Sequence, residues 1–151
     1  MTRTGHHFTG VACGLIVSAL LYRHIGLAGL VALPAGTLGG NAPDSLEWIV
    51  RGKARWCEHR TLTHWWPWWI AAAAIAITHL PSIWAIALLG YTMGGLSHLL
   101  FDWPNPTGIP FLHPWDHRTL GLWKSGEMEW ILLPAVMLAV AIVFMSVWAA
   151  N

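Results

Sequence analysis

The chain has 151 residues, enough for one domain, and only 10% of them are charged while 56% are hydrophobic. A soluble domain of this size needs a large polar surface, so the composition excludes that class and predicts one integral membrane domain over residues 1–151. The formal net charge of +1 and the absence of a basic run argue against nucleic acid as a partner.

Five apolar stretches predict an all-α, polytopic membrane bundle of about five short helices. In chain order they are Phe8–Leu21, Ile25–Leu38, Trp65–Leu80, Ile83–Phe101 and Trp130–Ala150. Only the fourth and fifth approach the roughly 20 residues that a full span requires. The first two, separated by Arg23 and His24, could instead form a tight hairpin that does not cross completely.

Basic residues predict the orientation of this bundle. Arg3 precedes the first helix, and the polar segments Gly39–His64 and Asp102–Glu129 contain nearly all the other basic residues. With five helices these three regions share one side, which leaves Arg23 for the other. The positive-inside rule then predicts a cytoplasmic N-terminus, two long cytoplasmic loops and a C-terminus outside. Most of the 12 tryptophans lie at helix ends, as expected of an interfacial belt.

Side chains that can bind metals gather on the same predicted side. Only His24 and His79 belong to the far side. The others flank the apolar stretches at the cytoplasmic level: His6, His7, Asp44, Glu47, His59, His64, His98, Asp102, His113, Asp116, His117, Glu127 and Glu129. Several separate segments therefore present metal-binding chemistry at one depth.

The fourth helix has the sharpest pattern. Gly90, Gly94, His98 and Asp102 recur at intervals of four and share one helix face. Small residues at this spacing allow another helix to approach closely, so His98 and Asp102 are predicted to point into the bundle. The glycine face also leaves room for a homo-oligomer. A divalent cation would compensate the buried pair, and the alternative is a polar contact between helices with Asp102 capping the following turn.

The other motifs each have a structural alternative. His59 and His64 could both face a metal, or Thr63 could cap the third helix while Arg60 contacts lipid phosphate. Asp44 with Glu47 suits either metal binding or an N-capped turn. Of the adjacent pair His6 and His7, at most one is a direct ligand, because neighbouring helical residues point about 100° apart. We assign His7.

Taken together, five segments resemble a known family. They are TGHHFTG before the first helix, GGNAPDSLEW after the second, HRTLTHW at the third, and GYTMGGLSHLLFDW followed by PNPTGIPFLHPW at the fourth. The set resembles the membrane-bound, metal-dependent hydrolases of bacterial inner membranes, the group that includes a LexA-regulated member. The resemblance runs from Thr4 to about Pro134.

This resemblance implies a bacterial inner-membrane protein with defined metal ligands. They carry over to His59, His64, His98, Asp102 and Asp44. The chain departs from the family at Leu46, where many members have a second aspartate. Glu47, one residue later, could replace it.

The predicted function is metal-assisted hydrolysis at the cytoplasmic membrane surface. The metal would activate water for attack on a phosphoester or ester, with a lipid head group as the natural substrate. Glu47, Glu58 and Glu127 are candidates for proton transfer, and Arg60 or Arg118 for holding a phosphate oxygen. The mixed His and Asp ligands favour zinc, and manganese is compatible. The main alternative is a non-catalytic scaffold with a structural metal or a polar network, and a transporter ranks below it.

Overall fold

Helices form nearly all the regular structure of the computed structural model, which describes residues 1–53 and 60–149. The α-helices are α1 (Arg3–Ile25), α2 (Ala32–Gly39), α3 (Ala42–Lys53), α4 (Trp66–Thr78), α5 (Ile83–Asp102) and α6 (Glu129–Ala149). Short 3-10 segments cover Gly26–Val31 and Leu62–His64. Two residues of β1 (Ile109–Pro110) pair antiparallel with β2 (His117–Arg118). The predicted all-α class is confirmed.

Within these described residues, three helical stretches are long and apolar enough to cross a membrane: Arg3–Gly39, Ile83–Asp102 and Glu129–Val147. Helix α1 has 23 residues, or about 34 Å at about 1.5 Å per residue, so it exceeds the predicted Phe8–Leu21 at both ends. Thr2 caps its start by accepting a hydrogen bond from the backbone N–H of Gly5. The predicted second helix is instead a 3-10 segment followed by the short α2.

Helices α1 and α2 form an antiparallel hairpin, which was one of the two predicted arrangements. Gly26 ends α1 with φ of 62°, a backbone conformation that glycine adopts without a steric penalty. Gly14 faces Leu33, and Gly10 faces Gly36 and Gly40, so the contacts run in opposite chain directions. The helices are close enough that side chains at these glycines would collide with the opposing backbone.

Helix α5 packs along the hairpin through its predicted glycine face. A Cβ atom at Gly90 would lie 2.8 Å from Cα of Ala32, and one at Gly94 would lie 2.8 Å from the backbone nitrogen of Gly40. Both distances are shorter than real Cβ contacts, so only glycine allows this approach. The prediction of close packing at Gly90 and Gly94 is confirmed, and it brings the C-terminal ends of α2 and α5 side by side.

Helix α3 lies within the predicted polar segment Gly39–His64. Its buried face includes Glu47, which is 4% exposed, while Trp48 and Ile49 on the opposite side are 80% and 50% exposed. Such a two-sided helix suits the membrane–water interface, where apolar side chains enter the lipid and the polar side covers the protein. Helix α3 therefore covers one end of the bundle.

Candidate functional site

One end of the bundle collects side chains from four parts of the chain. His6 lies in the first turns of α1, Asp44 and Glu47 lie on α3, His64 precedes α4, and His98 and Asp102 lie at the end of α5. Apart from Asp44, these side chains are 0–6% exposed. Buried ionisable groups are costly unless they are paired or bind a cation, so their partners decide what the cluster can do.

His98 stands at the centre of the cluster with one ring nitrogen fixed by the backbone. Its Nδ1 lies 2.9 Å from the carbonyl oxygen of Gly40. A carbonyl only accepts hydrogen bonds, so Nδ1 carries a hydrogen and donates it. In the neutral ring Nε2 then presents a lone pair, 3.3 Å from Asp102 Oδ2 and 3.6 Å from Asp44 Oδ1. These three acceptors converge, and either a proton on Nε2 or a metal cation would stabilise them.

His64 extends this arrangement toward α3. Its Nε2 lies 3.2 Å from Asp44 Oδ1, and its Nδ1 lies 3.4 Å from Glu47 Oε2 and 3.1 Å from Thr63 Oγ1. Burial lowers the pKa of His64, and the hydrogen bond with Asp44 offsets only part of that effect. The neutral imidazole is the form that binds metals. Glu47 sits behind this ring, where its Oε2 also accepts a hydrogen bond from the backbone N–H of Arg60 at 3.1 Å.

Asp44 forms the open edge of the cluster, since its side chain is 45% exposed while those of His64 and His98 are 0% exposed. Burial raises the pKa of its carboxyl group, but hydrogen bonds with His64 and His98 outweigh that effect and hold it below the usual range. The group is therefore a carboxylate. A cavity of about 410 Å³ adjoins it, so the cluster is reached from the Asp44 side.

Asp102 anchors the opposite side of the cluster. Its Oδ2 lies 2.8 Å from a terminal nitrogen of Arg60, and its Oδ1 lies 3.1 Å from His6 Nε2. Arg60 also donates to Thr107 Oγ1 at 2.8 Å, and its side chain is only 12% exposed. The guanidinium that was predicted to hold substrate thus neutralises a buried carboxylate.

His6, and not the predicted His7, reaches the cluster. His6 is 1% exposed and its ring stacks on that of His98 with centroids 3.7 Å apart, whereas His7 is exposed. In the described part of the chain, two groups could hold a metal ion, each with ligand atoms within 4.8 Å of one another: His6 with His98 and Asp102, and Asp44 with His64 and His98. Both use His98, so they are two halves of one cluster.

Comparisons with known proteins agree with a membrane bundle. The chain matches the sequence model of the YdjM inner membrane protein family over residues 1–150. It belongs to this family. The inner membrane protein YdjM of Escherichia coli K12 is 31% identical over 140 residues, which cover 78% of this chain and 69% of the relative. YdjM of Shigella flexneri matches with the same identity and coverage. No solved structure matches the chain.

Membership in the YdjM family confirms the predicted inner-membrane location. The remaining predicted site residues of this family member lie away from the cluster or outside the described part. Arg118 is 63% exposed and pairs with Asp116 at 3.2 Å. Glu127 is exposed and accepts a hydrogen bond from the backbone N–H of Lys124. The predictions for His59 and Glu58 lie outside the described residues.

The sequence contains a signal that would have selected His6. His6, Gly10 and Gly14 recur at intervals of four on α1, and His98 likewise follows Gly90 and Gly94 at intervals of four on α5. In both helices the glycines mark the packed face and the histidine lies one turn beyond them. Thr63, offered as a cap for α4, instead contacts the His64 ring, and the residue at the N-cap of that helix is Trp65, which forms no side-chain cap hydrogen bond.

Proposed function

We propose that this YdjM-family protein is a metal-dependent hydrolase that works at the membrane surface. The observation that supports it is the convergence of acceptors on His98. Its Nδ1 is fixed by Gly40, and its Nε2 therefore faces carboxylate oxygens of Asp44 and Asp102 in a buried cluster. A divalent cation would stabilise this arrangement without protonating the ring.

The donor atoms fit a divalent cation of borderline hardness, which binds both nitrogen and oxygen ligands. His64 and His98 offer imidazole nitrogens, and Asp44 and Asp102 offer carboxylate oxygens, a mixture that suits zinc and is compatible with manganese. In this assignment Glu47 orients His64, as carboxylates behind metal-binding histidines commonly do. Arg60 balances the charge of Asp102, which lets that carboxylate remain ionised at the end of an apolar helix.

The cluster has one accessible side, which favours catalysis over a purely structural role. Structural zinc sites are closed, whereas catalytic sites leave a position open. Here the exposed edge of Asp44 borders the cavity, and His64 and His98 close the interior. When bound, the metal would lower the pKa of a water molecule toward neutrality. Asp44 and His98 would position that water next to a phosphoester or ester entering from the cavity.

The competing function is a scaffold in which the cluster pins the helix ends together. A protonated His98 between Asp44 and Asp102 would also satisfy all three groups, with no metal involved. This alternative predicts a polar network with no stoichiometric metal. A transporter would need polar groups through the bilayer centre, and the sequence keeps nearly all its ionisable residues at one end.

The proposed function places the end of the bundle that carries the cluster on the cytoplasmic side of the membrane. The starts of α1 and α6 meet where Thr2 donates hydrogen bonds to Glu129, at the end of α1 that also carries the cluster. The basic residues of both long connections favour a cytoplasmic location for this end, with the C-terminus of α6 outside. The substrate would then be a membrane lipid reached from the cytoplasmic side.

Metal content tests the proposal directly. We expect about one or two zinc or manganese ions per chain, measured by elemental mass spectrometry on the detergent-purified protein. His98→Ala is expected to lose this metal while still inserting into the membrane. His79→Ala is the matched control, because His79 is exposed at the far end of α4 and should leave the metal content unchanged. A metal-free wild type would favour the scaffold, and an unchanged His98→Ala variant would contradict the ligand assignment.

The two adjacent histidines of α1 provide a second comparison. His6→Ala is expected to weaken metal binding by roughly 10–100-fold, because His6 contacts Asp102 and stacks on His98. His7→Ala should have no measurable effect. Competition with a chelating indicator measures both affinities. Equal losses in the two variants, or a loss only in His7→Ala, would refute the placement of His6.

A further inference from the structure

A groove runs along helix α3 at the end of the bundle, next to Asp44, the exposed member of the cluster. Its main cavity, of about 410 Å³, is lined by Arg3, Asn41, Asp44, Ser45, Trp48 and Ile49. A second cavity of about 280 Å³ shares Arg3 and Asn41 and continues past Thr4 and His7. The groove thus joins the start of α1 to the exposed side of α3, and Asp44 forms its border with the cluster.

Arg3 supplies the groove with a cation. Among the described residues Arg3 forms no ion pair, whereas Arg60 is held by Asp102 and Arg118 by Asp116. Asp44 does not neutralise it, since that carboxylate faces His64 and His98. A guanidinium offers several donors in one plane and suits the oxygens of phosphate. The groove therefore presents an anion-binding group beside the predicted metal ligands.

The rest of the groove is polar on one wall and apolar on the other. Ser45 is exposed, and the amide oxygen of Asn41 is buried with no hydrogen-bond partner among residues 1–53 and 60–149. The Asn41 oxygen could accept a hydrogen bond from a ligand hydroxyl, and the Ser45 hydroxyl could donate one to an ester oxygen. On the opposite wall Trp48 is 80% exposed and Ile49 is 50% exposed. An indole at this depth favours the head-group region of a bilayer, where it contacts glycerol and the first acyl carbons.

We propose that this groove binds the phosphate-bearing head group of an anionic membrane lipid, with Arg3 holding the phosphate oxygens. The inference deepens the proposed function, on which it rests, because it names the substrate class of the same site. The phosphate lies between Arg3 and the Asp44 edge of the cluster, and the lipid chains leave the groove along Trp48 and Ile49. Arg3 takes the role that was predicted for Arg60 or Arg118.

Calorimetric titration of the full chain in a neutral maltoside detergent tests this assignment. The probes are dihexanoyl phosphatidic acid, dihexanoyl phosphatidylcholine and inorganic phosphate. We expect the first to bind at least about tenfold more tightly than either of the others, because only it combines an exposed phosphate with apolar chains. Equal affinity for inorganic phosphate would show that the groove does not recognise a lipid, and equal affinity for phosphatidylcholine would refute selection of the phosphate monoester.

Variants then locate the anion-binding group. Arg3→Gln is expected to weaken phosphatidic acid binding about tenfold or more, and Arg118→Gln, which removes an exposed arginine elsewhere, should leave it unchanged. Ser45→Asp places a negative charge in the groove while keeping Arg3, and it should weaken binding similarly. Unchanged affinity in both groove variants would overturn the proposal, as would an equal loss in Arg118→Gln.

Metal analysis of the same samples separates the two proposals. Arg3→Gln should keep the metal content of the wild type, because Arg3 contacts none of the candidate ligands. A wild type that binds phosphatidic acid through Arg3 but contains no metal would overturn the hydrolase and leave the lipid site standing. A wild type that contains metal but binds phosphatidic acid no better than phosphatidylcholine would overturn the lipid site and leave the metal-dependent hydrolase standing.

Discussion

Replacing Asp102 with alanine is expected to lower the free energy of unfolding by about 3–5 kcal/mol, the usual effect of removing one member of a buried ion pair. Asp102 lies within 3.3 Å of His6, His98 and Arg60 at once. Its loss leaves the Arg60 guanidinium without its carboxylate partner and removes a metal ligand. We therefore expect both a lower melting temperature in detergent and a loss of bound metal.

A surface aspartate provides the control for Asp102. Asp116 pairs with Arg118, whose side chain is 63% exposed. Exposed pairs contribute about 0–1 kcal/mol, so Asp116→Ala should melt close to the wild type and keep its metal. If Asp102→Ala melts as the wild type does, the buried cluster does not hold the helix ends together. If it keeps its metal, Asp102 is not a ligand.

Replacing Gly94 with leucine is expected to destabilise the bundle by about 3 kcal/mol or more, at or above the upper end of the usual cost of overpacking. A Cβ atom at Gly94 would collide with the carbonyl oxygen of Gly36 and lie 2.8 Å from the backbone nitrogen of Gly40. Backbone atoms cannot rotate away as side chains do, so α5 must separate from α2. Thermal aggregation in detergent and the yield of monodisperse protein measure the effect.

Ala74→Leu is the matched control for this substitution. Ala74 is exposed on α4, where a larger apolar side chain meets lipid or detergent and not another helix. We expect its melting temperature to stay within a few degrees of the wild type. A Gly94→Leu variant as stable as Ala74→Leu would mean that α2 and α5 do not pack through their glycines.

The helices that span the bilayer were predictable because hydropathy and small-residue spacing act over many residues. Helix α5 was predicted over Ile83–Phe101 and is found over Ile83–Asp102. Helix α1 is longer than predicted because its polar residues Arg23 and His24 lie in its last turn, where basic side chains interact favourably with the helix dipole. Hydropathy identifies only the apolar part of α1, and the helix itself extends beyond that part at both ends.

Helix α3 was missed for a different physical reason. Hydropathy averaged over this segment is polar, since the helix mixes Asp44 and Glu47 with Trp48 and Ile49. Its apolar residues lie on one side of the helix and face outward at the interface. The helix is therefore revealed by the helical spacing of its apolar residues and not by the mean hydropathy of the segment. An interfacial helix is therefore easily mistaken for a loop when only spans are sought.

The residue types of the candidate site were easier to predict than their roles. The clustering of His64, His98, Asp102 and Asp44 followed from the side of the membrane on which each helix ends. The position of Arg60 did not, because its contact with Asp102 joins residues 42 positions apart through a turn in which Arg60 has φ of 59°. No periodicity reports such a contact. Arg3, which forms no ion pair within residues 1–53 and 60–149, was counted only for the orientation of the helices.

The contact between His6 and Asp102 also determines when the cluster is completed during synthesis. These two residues are separated by 96 positions, and His98 enters at nearly the same point as Asp102. The first hairpin is therefore synthesised long before His98 and Asp102, the residues that His6 contacts, exist. A nascent chain that stops before α5 holds only part of the cluster. Under the proposed function, an ion held by these ligands would be captured only after translation passes Asp102.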